Sequence, residues 1–186
     1  MPLDDELPIC PVGGPWQRFH GAGFGAVYFG RKKKYRFDDP NGEYGVLYAG
    51  ADEYGAFVET FLRNPELKLV DRREIRARRL AELEIAGRMR LVDLTGPGLQ
   101  QAGIDPERVA GDYSLSQPLS REIYEHPATP DGILYRVKYD PSRIGVALFE
   151  RDRTKNAVVP EDRGCLLDPH NDQLLADLLE EYHKYI

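Results

Sequence analysis

YRFDDPNGEYGVLYAGADEYGAFVETF, residues 35–61, holds the densest run of structural signals in the chain. The tetrapeptide Asp39–Gly42 is a strong turn signal, because its proline presets φ and its Asn-Gly pair tolerates positive φ. The apolar run Gly45–Ala49 then predicts a short buried strand ending beside Tyr48. A helical pattern follows from Asp52. The stretch therefore predicts a turn, a strand and a helix in that order.

The predicted helix begins after Asp52, a favourable N-cap, and ends before Asn64-Pro65. Its apolar residues recur at i, i+3, i+4, i+7 and i+8 and share one face: Tyr54, Phe57, Val58, Phe61 and Leu62. Glu59 lies beside that face, since successive helical residues are rotated by about 100°. Periodicity alone therefore favours a solvated glutamate at this position.

Length and composition indicate one folded domain. The chain has 186 residues, of which 41% are hydrophobic and 30% charged, enough for a single core. Its 14 prolines and 18 glycines favour short elements joined by turns. Residues 1–15 hold four prolines and an acidic cluster, which predicts an N-terminal arm preceding a domain at 16–186. The predicted fold class is α+β, with small twisted, mostly antiparallel sheets and flanking helices.

Charge and cysteine usage narrow the classes of function. A net charge of −6 argues against nonspecific nucleic-acid binding. The basic run Arg31–Lys34, followed by Arg36, is interpreted either as a solvated loop or as a local electrostatic funnel for a small anion. Cys10 and Cys165 form no metal or disulfide pattern and fit a reducing compartment. No apolar run approaches the roughly 20 residues of a membrane span, so a cytoplasmic protein is expected.

Further elements are predicted along the chain. Alternation around Ala86–Arg88 indicates a β-hairpin, and residues 151–170 have the composition of a loop. The other predicted elements are strands at Ala26–Phe29, Gly132–Tyr139 and Arg143–Phe149 and helices at Pro118–Tyr124 and Asn171–Tyr185.

Common catalytic motifs are absent from the sequence. It contains no GxSxG, no HExxH and no Walker A loop, and the spacing Gly21, Gly23, Gly25 is GxGxG rather than the dinucleotide fingerprint GxGxxG. No metal site is predicted. From the residues alone, the prediction stops at an α+β domain with an anion-binding groove as one option.

An ordered set of segments resembles the RES-domain family. WQRFHG, FGAVYFG, YRFDDPNGEYGVLYAG and GAFVETF match its N-terminal half, and LVDLTGPGL, AGDYSLSQ, DGILYRVKYDP and VALFE continue in the same order, over about Trp16–Glu150. The resemblance implies a fold similar to ADP-ribosyltransferases and degradation of NAD+ by hydrolysis or phosphorolysis of the nicotinamide–ribose bond. It also implies a toxin whose partner is an Xre-like helix-turn-helix antitoxin, with NAD+ as substrate and inorganic phosphate as an optional co-substrate.

The same resemblance implies the site residues. The family arginine, tyrosine and glutamate match Arg36, Tyr48 and Glu59, and Arg18 matches an early substrate-contacting arginine. A guanidinium such as Arg36 suits a pyrophosphate, because it forms bidentate charge-assisted bonds. The Tyr48 ring suits stacking on a base. A carboxylate at Glu59 suits ribose hydroxyls and the positive charge that develops during cleavage.

The family serine is harder to match. Ser114 in DYSLSQ fits best and Ser116 is its rival, whereas some family members carry a serine after the DGI-x-Y segment, where this chain has Val137. Water and phosphate both stay open as the nucleophile. Transfer of ADP-ribose to a macromolecule and a non-catalytic interaction module are the alternative functions, and the oligomeric state, including a homo-oligomer, is open.

Overall fold

Eight strands form one sheet in the computed structural model, which describes residue 3 and residues 6–186. The strands follow the spatial order β1-β5-β6-β7-β3-β2-β4-β8, and within these residues only β5 and β6 pair in parallel. Their bounds are β1 Ile9–Val12, β2 Trp16–Gly21, β3 Val46–Gly50, β4 Arg78–Ile85, β5 Met89–Asp93, β6 Gly132–Val137, β7 Asp140–Phe149 and β8 Val158–Gly164.

Seven α-helices and one 3₁₀ turn accompany the sheet in the part of the chain that the structure describes. They are α1 Glu53–Phe61, α2 Arg72–Arg76, α3 Pro97–Gln101, α4 Glu107–Ala110, α5 Tyr113–Glu125, α6 Asp152–Ala157 and α7 Asp172–Glu181, with the 3₁₀ turn at Pro169–Asn171. The prediction of a single α+β domain with a mostly antiparallel sheet is confirmed.

Helix α1 forms as its sequence predicts. The Asp52 carboxylate accepts a hydrogen bond from the Gly55 N–H at 2.7 Å and so caps the first turn. Phe57 and Val58 are fully buried among the apolar side chains of β2, α2 and α7. Burial of this stripe fixes the rotation of the helix, and Glu59 consequently points along its flank.

The sheet opens between β2 and β3. These strands share one register pair, Gln17 with Gly50, whereas β2 and β4 are paired over the whole length of β2. Beyond that pair, Val46 at the start of β3 bonds with Gly30 from the preceding loop instead of with β2. The sheet therefore splits along the edge of β3 that faces β2.

Several predictions of local structure are corrected. Residues 26–29 form no strand, and only the bridge at Gly30 follows them. The predicted hairpin is wrong, since β4 pairs with β2 and β8 while β5 pairs with β1 and β6. An alternating pattern of apolar residues is compatible with any partner strand, so the partner depends on the tertiary structure. The predicted loop at 151–170 contains α6 and β8.

Other boundaries differ as well: β6 ends at Val137, β7 begins at Asp140 and α7 ends at Glu181. The helix predicted at Pro118–Tyr124 begins five residues earlier, because Asp112 caps it by accepting from the Ser114 N–H, and Pro118 lies inside it. Part of the predicted arm at 1–15 belongs to the sheet, where β1 pairs along β5 as an edge strand. Residues 1, 2, 4 and 5 of that arm lie outside the described residues.

Within the described ranges, no helix has the length and apolar character required to cross a membrane. Over the same residues, no group of three or more His, Cys, Asp or Glu side chains is arranged to hold a metal ion.

Candidate active site

A cavity of about 430 Å³ lies where the sheet opens between β2 and β3. Arg18 from β2, Tyr48 from β3, Glu59 from α1 and Arg36 from the intervening loop all line it. Four of the six site residues predicted from the sequence are therefore brought together in one place, although they come from four separate elements.

The Glu59 carboxylate is held by three donors. The Tyr135 hydroxyl donates to Oε2 at 3.2 Å, while the Arg36 Nη2 and the Lys138 backbone N–H each approach Oε1 at 3.5 Å. About a quarter of the side chain stays exposed, on the cavity side. The flank position that periodicity indicated thus directs a partly exposed, oriented carboxylate into the cavity rather than into bulk solvent.

Arg36 is buried beneath this carboxylate. Its Nη1 donates to the carbonyl oxygens of Arg136 at 3.2 Å and Val109 at 3.5 Å, and its guanidinium lies 4.8 Å from the centre of the Tyr135 ring. Only 7% of the Arg36 side chain is exposed. This geometry favours support of Glu59 and leaves little of the guanidinium for the phosphate contact predicted from the sequence.

Tyr48 is anchored through its hydroxyl. The hydroxyl donates to Asp38 Oδ1 at 2.9 Å and accepts from the Phe37 N–H at 2.9 Å. Burial, followed by the charge of Asp38, raises the pKa of Tyr48 well above its ordinary value, so the hydroxyl stays protonated and donates. The hydroxyl is committed to the protein, and the ring is the part of Tyr48 available to a ligand.

Asp38 ties the basic loop to this tyrosine. Its Oδ2 accepts from the backbone N–H groups of Lys34 and Tyr35 at 2.9 and 3.1 Å. Burial raises the pKa of Asp38, and the three hydrogen bonds oppose that rise because they favour the carboxylate form. Asp38 therefore fixes the loop that carries Arg36 against the strand that carries Tyr48.

Arg18 carries an unpaired polar atom. Its Nη2 donates to the Tyr28 carbonyl oxygen at 3.0 Å, whereas its buried Nη1 has no hydrogen-bond partner among the described residues. Burial lowers the pKa of Arg18 to about 10; Tyr35 opposes this effect, and the positive charge of Arg78 adds a smaller contribution in the same direction as burial. Because a buried donor without a partner is costly, the position suits an anionic ligand.

The two serines predicted from the sequence lie outside the cavity. Ser114 is exposed at the start of α5, and Ser116 is buried on α5 with no partner for its Oγ among the described residues. Val137, where some relatives carry serine, is fully buried in the core. The next residue, Lys138, does line the cavity, and its Nζ donates to the Gly111 carbonyl oxygen at 3.3 Å.

Sequence reasoning missed Tyr135, the main orienting donor of Glu59. Tyr135 alternates with Ile133 and Val137 on β6, all of them buried, so its pattern is that of a core residue. Phe37 packs against its ring, with centroids 5.0 Å apart. The one available signal was a polar hydroxyl within an otherwise apolar face, since a buried tyrosine needs a partner.

The cavity is strongly cationic in an acidic protein. Two carboxylates line it, Glu59 and Glu74, together with six cationic side chains, a surplus of four positive charges: Arg18, Lys32, Arg36, Arg63, Arg78 and Lys138. The whole chain carries a net charge of −6. Such a local field attracts and concentrates small anions.

The chain belongs to the RES domain family, whose model matches residues 30–168. The fold is also that of a chain in the crystal structure of the M. tuberculosis MbcT–MbcA toxin–antitoxin complex. That match has a TM-score of 0.69 at 18% identity and covers 91% of this chain and 92% of the other. A comparison with curated protein sequences found no match.

Proposed function

We propose that this protein cleaves NAD+ at the bond between nicotinamide and ribose. The observation that carries the proposal is the Glu59 carboxylate, held by Tyr135, Arg36 and Lys138 and partly exposed to a cationic cavity. NAD+ combines a diphosphate, which suits that field, with a sugar carbon that becomes positively charged as nicotinamide leaves. Membership of the RES domain family supports the same reaction.

Cleavage breaks the bond between the ribose C1′ and the nicotinamide nitrogen, and the electron pair leaves with nicotinamide. The positive charge on the ribose is stabilised by Glu59, whose preorganised carboxylate needs no reorientation. An oxygen atom of water, which releases one proton to solvent, or of inorganic phosphate then forms the new bond at C1′. Neither nucleophile is favoured by the residues around Glu59.

The remaining residues would bind and orient the substrate. The Tyr48 ring lines the cavity and offers a stacking surface for a base or for nicotinamide. Arg36 and Tyr135 would keep the carboxylate in place from below. Ser114 and Ser116 have no direct contact in this mechanism, because neither reaches the cavity.

We further propose that the protein is the toxin of a toxin–antitoxin pair. A chain of the MbcT–MbcA toxin–antitoxin complex has the same fold. Depletion of NAD+ would arrest growth. The partner would be a protein antitoxin of the Xre-like helix-turn-helix type encoded beside it. Expression of the chain alone is expected to halt bacterial growth, and coexpression of the neighbouring reading frame is expected to restore it.

The reaction is tested by incubating purified protein with NAD+, with and without inorganic phosphate, and identifying products by mass. Free nicotinamide is expected, with ADP-ribose from water or its 1″-phosphate from phosphate. Glu59→Gln should lower turnover by about 10²–10³-fold. Glu53→Gln is the matched control, since Glu53 lies on the same helix but outside the cavity.

Intact NAD+ after prolonged incubation with folded wild-type protein would refute cleavage. Full turnover by Glu59→Gln would refute the role of the carboxylate. NAD+ labelled in its adenosine half identifies transfer, because the label would then remain on a protein or nucleic acid instead of in a small product.

A further inference from the structure

Besides Arg36, the cavity is lined by Arg18, Arg63 and Arg78, together with Tyr35. The guanidinium of Arg63 lies 4.5 Å from the centre of the Tyr35 ring, and the Tyr35 phenol acts electrostatically on Arg18. Arg78 at the start of β4 lies close enough for its charge to disfavour the charged form of Arg18. All four residues line the same cavity.

None of these arginines forms an ion pair among the described residues. The ion pairs formed by cavity-lining residues there are confined to that between Arg36 and Glu59. Elsewhere arginines are paired repeatedly, for example Arg121 with Asp39 and Glu43, and Arg143 with Asp52. Like charges brought together without a counter-ion repel, and this cluster is balanced once an anion binds.

The buried Nη1 of Arg18 indicates which kind of ligand these arginines suit. It is a donor without a partner among the described residues, on a side chain that lines the cavity. A phosphate oxygen is a strong acceptor for such a group, and arginine binds phosphates through paired N–H donors. Arg36, by contrast, is engaged with Glu59 and two carbonyl oxygens.

We propose that Arg18, Arg63 and Arg78 form a diphosphate subsite, separate from Arg36, that selects dinucleotides over mononucleotides. This inference rests on the proposed cleavage of NAD+ and assigns the two halves of NAD+ to neighbouring parts of the cavity. The ribose bonded to nicotinamide lies at Glu59, and the diphosphate lies between β2, the end of α1 and the start of β4. Arg63 and Arg78 are thus binding residues, while Arg36 is a positioning residue.

Arg78→Ala is the decisive variant, because Arg78 is half-buried at a strand end and forms no ion pair among the described residues. Loss of one charged contact to phosphate should raise the KM for NAD+ at least about tenfold. The kcat should stay within about twofold, since Glu59 and its three donors are untouched. Arg76→Ala, two residues earlier on exposed α2 surface, is the matched control and should change neither constant.

Substrate selectivity supplies a second readout. Nicotinamide mononucleotide has the same scissile bond but one phosphate and no diphosphate. The wild-type preference for NAD+ over this mononucleotide, as a ratio of kcat/KM values, should fall by the same factor in Arg78→Ala and in Arg63→Ala. Arg78→Lys should recover part of the preference, because it restores the charge without the paired donors.

Binding of ADP by calorimetry separates this inference from the proposed reaction. ADP should bind wild-type protein and Arg76→Ala equally and Arg78→Ala at least about tenfold more weakly. If wild-type protein binds ADP through Arg78 yet leaves NAD+ intact, the cleavage is refuted and the subsite stands. If wild-type protein cleaves NAD+ while Arg78→Ala and Arg63→Ala retain its KM, selectivity and ADP affinity, the subsite is refuted.

Discussion

Replacement of Tyr48 by phenylalanine should destabilise the fold strongly, although it removes a single oxygen atom. That oxygen links two groups, the Asp38 carboxylate and the Phe37 N–H, each at 2.9 Å. Asp38 is 1% exposed and Phe37 is fully buried, so water replaces neither contact without rearrangement. The variant therefore breaks the link between the loop that carries Arg36 and strand β3.

The magnitude follows from the two contacts. A hydrogen bond to a charged group is worth about 1.5–3 kcal/mol, and a buried donor left without a partner costs about 1–3 kcal/mol. Allowing for partial relaxation, the free energy of unfolding should fall by about 3 kcal/mol. For a domain of this length, that corresponds to a decrease in Tm of about 6–12 °C.

Thermal unfolding followed by circular dichroism measures this change. Tyr139→Phe is the control, because Tyr139 lines the same cavity but is 42% exposed. Its Tm should remain within about 2 °C of wild type, as is usual for exposed substitutions. A Tyr48→Phe protein that melts together with this control would show that the hydroxyl does not connect the loop to the sheet.

Three shorter predictions concern stability and the site. Gly145→Ala would place a Cβ 2.8 Å from Tyr135 Cζ, so the phenol must shift; unfolding free energy should fall by about 1–3 kcal/mol, and turnover of NAD+ should fall with it. Burial raises the pKa of Asp39, but backbone amides and Arg121 outweigh it and leave the pKa lowered. Asp39 therefore stabilises the fold above its unfolded pKa of about 3.9, and acid titration should cost wild-type protein more stability than Asp39→Asn as pH falls below about 4. Ser116→Ala removes a buried hydroxyl that lies outside the cavity and has no partner among the described residues; Tm should not fall, and NAD+ turnover should equal that of wild type.

The opening segment of the sequence was sufficient to predict its own local structure. The cap at Asp52, the apolar stripe of α1 and the strand ending near Tyr48 depend on neighbours in the chain, and all three are present. The resemblance to the RES domain family added which polar residues share a site. Arg18, Arg36, Tyr48 and Glu59 do line one cavity, and their chemical roles stay predictions.

Pairing between distant strands was beyond the reach of the sequence. The alternating runs that became β4 and β5 are separated by a short Gly-containing turn, which is the usual signal of a hairpin. Each instead pairs with strands far away in sequence, because the buried faces of those strands complete the core. Local alternation specifies which residues share a face of a strand but does not specify the strand with which it pairs.

The sequence also did not predict which individual polar side chains are buried. Arg36 follows a basic run, and the resemblance implied that it binds a pyrophosphate, yet it lies beneath Glu59 against the Tyr135 ring. The interpretation of that run as an anion funnel was nearer to the observed charge, since Lys32 lines the cavity while Arg31 pairs with Glu150. The residues of a basic run can have different roles, and these depend on where the fold places each side chain.

The arginines that line the cavity differ in whether groups of the protein already occupy their N–H donors. A guanidinium enclosed by carbonyl oxygens, a carboxylate and an aromatic ring acts on the protein, as Arg36 does on Glu59. A guanidinium whose N–H has no partner and no counter-ion among the described residues, such as that of Arg18, is expected to bind an incoming anion. A ligand that suits the cavity should present a phosphate to Arg18 and a developing positive charge to Glu59. NAD+ meets both requirements in one molecule, which is why the two arginines are expected to affect different kinetic constants.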